Sequence, residues 1–111
     1  MKVIKYNKLI RDKVPGIIKK NNAASKISRL NRKRFFAELK KKLVEESFEL
    51  QKAKDKKEFL NELVDVLEVL RSLARVKKIS WRAVEIKRKL KNKERGGFSK
   101  QLFLKEVREQ L

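Results

Sequence analysis

Residues 43–67 read LVEESFELQKAKDKKEFLNELVDVL, and the fold turns on how this stretch divides. Asp55-Lys-Lys-Glu58 in its middle has the form of a capping box with Asp55 as N-cap. One helix therefore ends before Asp55 and another starts on it. Acids three apart flank the break on both sides: Glu46 and Glu49 before it, Glu62 and Asp65 after it. Residues three apart on a helix point to one side. If the chain folds back between residues 55 and 56, Glu46 comes level with Asp65 and Glu49 with Glu62. Four carboxylates then meet on one antiparallel helical hairpin.

The flanking pattern supports two long helices. Asn31 is an N-cap for a helix over about 32–54, with Phe36, Leu39, Leu43, Leu50 and Ala53 at its apolar positions. Their spacing alternates three and four, with one gap where Glu46 falls. At about 100° per residue Glu46 lies in the middle of the stripe and Glu49 at its edge. The next helix, over about 56–77, carries Phe59, Leu63, Val66, Leu67, Leu70, Leu73 and Ala74 on one broad face bordered by Glu62 and Asp65. Ser80 caps a helix over about 81–95 that ends at Gly96-Gly97. Pro15 opens a short helix over about 14–21, closed by Asn21-Asn22. Residues 1–13 read as an extended arm or short strand, and residues 23–31 as a connector. The tail from Phe98 to Leu111 is amphipathic, with Leu102, Phe103, Leu104 and Val107. Phe35, Phe36, Trp81 and Phe98 read as packing residues.

Composition agrees with helices. The 111 residues suit one domain spanning 1–111. One Pro and three Gly are too few for a turn-rich β architecture. The fold class expected is all-α: a helical hairpin plus further helices, completed as a bundle by oligomerisation. Amphipathic helices in so short a chain bury limited area alone, which favours a homodimer or homotetramer. The absence of cysteine excludes disulfides and thiolate metal sites, and the absence of histidine excludes imidazole chemistry. There is no signal-peptide core and no membrane-length apolar run, so a cytoplasmic protein is expected.

Like charges brought together repel, and burial raises the penalty. A carboxylate inside an apolar stripe needs a partner: lysine, arginine, a proton or a cation. Oxygen-only ligation suits Mg²⁺, with Mn²⁺ as the alternative, because such ions take carboxylates, waters and substrate phosphates together. Glu45 adjoins the cluster and reads either as an exposed helix acid, the simpler reading, or as the group that accepts a proton from water. Two basic groups stand apart from the acids. Lys87, Arg88, Lys91 and Arg95 lie before the glycine pair, and Lys8, Arg11 and Lys13 lie near the N-terminus. The net charge of +19 favours polyanionic partners, either a nucleotide or a nucleic acid. A solvated basic surface explains much of the same charge.

The acids and their flanks resemble the MazG-like and phosphoribosyl-ATP pyrophosphohydrolase-like superfamily of all-α nucleoside triphosphate pyrophosphatases. The resemblance rests on Glu45-Glu46-x-x-Glu49 and Glu62-x-x-Asp65, on YNKLIRDKVPGII (residues 6–18) and on KRKLKNKERGGF (residues 87–98). It covers about residues 6–103 and is closest to a small single-domain branch. It implies a helical fold assembled into dimers or tetramers, with Mg²⁺ held by Glu46, Glu49, Glu62 and Asp65. The implied reaction splits a nucleoside triphosphate between its α- and β-phosphates. Glu45 then supports Glu46 in catalysis, and Arg11, Lys91 and Arg95 contact the substrate's phosphates.

Two other readings stand beside this one. A phosphoribosyl-ATP pyrophosphohydrolase of histidine biosynthesis would share the motif, although the YNKLIRDKVP segment points to the other branch. A non-catalytic basic module binding nucleic acid through phosphates would show steep salt dependence and no need of the acids.

Overall fold

A computed structural model describes residues 2–110 as four helices, with no strand among them. These are α1 (Val14–Lys20), α2 (Arg32–Lys52), α3 (Lys56–Val76) and α4 (Trp81–Arg95). The expected all-α class is what the chain adopts. Two compact units make it up: Met1–Ile79, with α1 to α3, and Ser80–Leu111, with α4. Met1 and Leu111, the ends of the N-terminal arm and of the amphipathic tail, lie outside the described residues. Among the described residues no helix is long and apolar enough to cross a membrane.

Side-chain caps set the three long helices. Asn31 Oδ1 accepts from Arg34 N at 2.8 Å, Asp55 Oδ1 from Glu58 N at 2.8 Å, and Ser80 Oγ from Ala83 N at 3.1 Å. Each such cap contributes about 1 kcal/mol. The Asp55 box is stretched by one residue, because Glu58 Oε2 accepts from Lys54 N at 2.9 Å. Helix α2 stops two residues short of the expected end. Ala53 turns extended (ψ 128°) so that Asp55 can take the extended backbone of an N-cap. Helix α3 closes on Lys78 in the left-handed region (φ 56°), with Ile79 N donating to Ala74 O and Lys78 N to Arg75 O, both at 2.9 Å. Helix α4 ends on Gly96 at φ 81°, a conformation that costs glycine nothing.

The hairpin of α2 and α3 is antiparallel. Arg32 at the start of α2 donates to the carbonyl of Val76 at the end of α3. Lys40 and Lys77 both set their ammonium groups 4.6 Å from the ring centre of Phe36, covering the open end of the pair. Only Leu39 (5% exposed) and Val69 (8%) are buried among the described residues.

Helix α3 is rotated from the expected orientation. Val69 is buried, and Glu62, Asp65, Val66, Glu68, Arg71, Ser72, Leu73, Ala74 and Val76 are half-buried, whereas Phe59, Leu63, Leu67 and Leu70 remain exposed. The apolar stripe is wider than one partner helix can cover. The edge turned to α2 carries the two acids, and the opposite edge is left open. The terminal segments add little packing. Residues 2–10 form an arm without regular structure, and among the described residues no helix forms beyond α4. Phe98, read as a packing residue, is instead 97% exposed.

Candidate metal centre

Glu46 of α2 and Glu62 and Asp65 of α3 each present a carboxylate oxygen within 4.8 Å of the others. The three come together because Glu46 occupies a gap in the apolar stripe of α2, while α3 turns its acidic edge toward that stripe. The Glu46 side chain is 13% exposed, against 34% for Asp65. Magnesium–oxygen bonds of 2.0–2.1 Å place opposite ligands about 4 Å apart. Small side-chain rotations therefore bring the three oxygens onto one ion, and the all-oxygen donor set fits Mg²⁺ or Mn²⁺.

Glu49 does not join this convergence. It lies at the rim, half exposed, with Lys52 Nζ 3.9 Å away. Its charge is still felt at Glu62, whose carboxyl is held above the ordinary glutamate range. Partial burial is the main cause, followed by the charges of Asp65, Glu46 and Glu49 and a hydrogen bond to Glu46.

Two cations sit on the cluster. Lys42, one turn before Glu46, places Nζ 3.5 Å from Glu46 Oε1 and 3.6 Å from Glu45 Oε1. Arg11, from the segment before α1, donates from Nη2 to Asp65 Oδ1 at 2.8 Å. Arg11, expected at substrate phosphates, lies here on an acid of the cluster. The role of Lys42 has a local signal, an i to i+4 pairing with Glu46 that the sequence reading passed over. Glu45 faces outward. With Lys42, Lys41 and Glu38 of α2 it lines a groove of about 350 Å³, closed on the other side by Tyr6, Asn7, Lys8 and Leu9. Lys91 and Arg95 belong to the other unit. They are exposed, four residues apart at the C-terminal end of α4. Arg88 on the same helix is engaged with Glu85 at 2.9 Å.

The family profile for phosphoribosyl-ATP pyrophosphohydrolase matches residues 7–94. The chain belongs to the phosphoribosyl-ATP pyrophosphohydrolase family. This is the superfamily that the acidic motif and its flanks resembled. No curated protein and no solved structure shows significant similarity to the chain. The phosphoribosyl-ATP pyrophosphohydrolase match spans Arg11, Lys42, Glu45, all four motif acids and Lys91, and it stops one residue before Arg95. Membership indicates a pyrophosphohydrolase acting on a nucleotide.

The raised pKa of Glu62 gives a first test. A carboxyl whose folded pKa lies above its unfolded value stabilises the fold most when protonated. That stability is lost as pH rises through and above the ordinary glutamate range. In a chelator, Glu62→Gln is therefore expected to melt higher than wild type at neutral pH and to lose this advantage in acid. Thermal melts across pH check it. A variant that melts lower at neutral pH would contradict the repulsion described for the cluster.

Proposed function

We propose that this chain is a Mg²⁺-dependent pyrophosphohydrolase that splits a nucleoside triphosphate at its α–β anhydride, releasing the monophosphate and pyrophosphate. The observation that carries this reading is the convergence of Glu46, Glu62 and Asp65 inside the span matched by the family. In this reading those three acids, with Glu49 at the rim, hold Mg²⁺ or, in its place, Mn²⁺. The ion, when bound, supplies positive charge against the phosphate oxygens.

The chain's own residues have distinct tasks. Water adds its oxygen to one phosphorus of the α–β anhydride as the bridging P–O bond breaks, and the water's proton must be taken up. The Glu45 carboxylate lines the groove next to the cluster and receives that proton. Lys42 lies between Glu45 and Glu46, 3.6 Å and 3.5 Å from their carboxylates, and holds both in place. Arg11, Lys91 and Arg95 are proposed as phosphate contacts because guanidinium and ammonium groups bind phosphate oxygens well. The open apolar edge of α3 completes the reading: a second copy covers Phe59, Leu63, Leu67 and Leu70 in a dimer or tetramer.

The family match favours a second substrate, phosphoribosyl-ATP. It carries the same triphosphate, so the chemistry at the acids is unchanged and only the base-side contacts differ. Both readings are tested by incubating the full chain and Mg²⁺ with a panel of ribo- and deoxyribonucleoside triphosphates and with phosphoribosyl-ATP, and measuring pyrophosphate. Release from the nucleoside triphosphates supports the first reading, and release from phosphoribosyl-ATP alone selects the second. A folded protein that releases pyrophosphate from none of them would overturn both.

A further inference from the structure

Arg11 reaches the carboxylate centre from outside the hairpin. Its guanidinium lies 2.8 Å from Asp65 across 54 residues of chain, and Asp65 is one of the three acids that converge. The side chain remains 59% exposed, so the contact is a charge pairing at the surface and contributes little to packing. The segment that carries it has no helix until Val14, and two backbone bonds tie it to α1, from Val14 N to Arg11 O at 3.0 Å and from Ile17 N to Lys13 O at 3.2 Å. A monovalent cation therefore sits on a ligand that a divalent cation would also use, and it is held by a segment with little regular structure of its own.

A guanidinium and a divalent ion on one carboxylate repel each other. A concentrated positive charge with three ligands outcompetes a single exposed ion pair. The displaced arginine would not be left without an anion once a polyphosphate enters the groove that its segment borders. Tyr6 and Lys8 form one wall of that groove, and Lys41 and Lys42, with Glu38 and Glu45 beside them, stand on the other. A polyphosphate in the groove offers the planar guanidinium a bidentate partner, which the Asp65 contact does not provide.

We propose that Arg11 is a resident counter-ion of the metal centre: a divalent cation displaces it from Asp65, and it then engages the phosphates of the nucleotide. The inference rests on the proposed metal centre and adds an order of events to it. While no cation is bound, Arg11 relieves part of the repulsion among the acids. Once one is bound, the same side chain becomes a phosphate ligand, and binding of metal favours binding of nucleotide.

The test uses Mn²⁺ alone, with free Mn²⁺ followed by electron paramagnetic resonance, on the full-length wild type, Arg11→Ala and Arg11→Gln. Both variants are expected to bind Mn²⁺ about two- to fivefold more tightly than wild type, the range an exposed ion pair supports. With an α,β-methylene nucleoside triphosphate and saturating Mn²⁺, both are expected to bind the analogue several-fold more weakly. The opposite signs matter, since a merely structural arginine would weaken both. Unchanged or weaker Mn²⁺ binding in the two variants would overturn the inference while the metal centre stands. Unchanged binding of the analogue would remove the second role of Arg11. If wild type binds no Mn²⁺ in the millimolar range, the metal centre itself fails and this inference falls with it.

Discussion

Glu46→Gln is expected to cut pyrophosphate release more than about 100-fold, beyond the loss that follows removal of an outer-shell partner of a metal. Glu46 is one of the three converging acids and more enclosed than Asp65, and the amide that replaces it keeps the shape while giving up the charge. The variant should not be less stable without metal. Removing one of several like charges beside Glu62 relieves repulsion, and the amide can still hydrogen-bond to Glu62. The pairing with Lys42 is lost, but it is local to one helix and contributes little. The two measurements together are pyrophosphate release with Mg²⁺ and thermal melting in a chelator. Loss of release with an unchanged or raised melting temperature assigns Glu46 to the chemistry. Wild-type release from the variant would remove Glu46 from the metal centre. Glu45→Gln should lower release as well while leaving Mn²⁺ affinity nearly unchanged, because Glu45 faces the groove and shares only Lys42 with the cluster.

The hairpin was legible because its signals are local. Asn31, Asp55 and Ser80 each bond the backbone three residues ahead, and such caps can be read from four residues of sequence. The level pairing of Glu46 with Asp65 follows once the turn is placed. The rotation of α3 was less legible. Periodicity tells which side of a helix is apolar, but not how much of a wide apolar side one neighbour covers. Val69 was absent from the expected face and is one of two buried residues among those described, while Leu67 and Leu70 were expected on that face and stay exposed. Glu49 was placed in the cluster by the same mirror argument and lies at its rim, because the acids of α3 converge on the more enclosed Glu46. Arg11 on Asp65 had no local signal, since nothing in a sequence couples residues 54 positions apart. The tail shows the converse case. Its apolar residues are amphipathically spaced, yet no helix forms among its described residues, because spacing alone does not stabilise a helix that has nothing to pack against.

Leu39→Ala should be the most damaging substitution for the fold. Truncating a buried leucine to alanine costs about 2–5 kcal/mol, and a domain of this size has only about 5–15 kcal/mol in all. Leu39 is the most buried residue described, on the α2 face that meets Val69, and few neighbouring side chains are enclosed enough to refill the space. Urea unfolding followed by circular dichroism is expected to show a large fall in midpoint at unchanged slope, or no folded baseline at all. A fall of under about 1 kcal/mol would mean that the α2–α3 contact is not what holds the chain together. The open edge of α3 bears on the same experiment. If a second copy covers Phe59, Leu63, Leu67 and Leu70, folding and association are linked, and the wild-type midpoint rises with protein concentration. Leu39→Ala then unfolds mainly at low concentration and is partly restored at high concentration, because association adds stability that the cavity does not remove. A midpoint independent of concentration in wild type and variant alike would mean that the two-helix contact stands alone, and the proposed assembly would have to be given up.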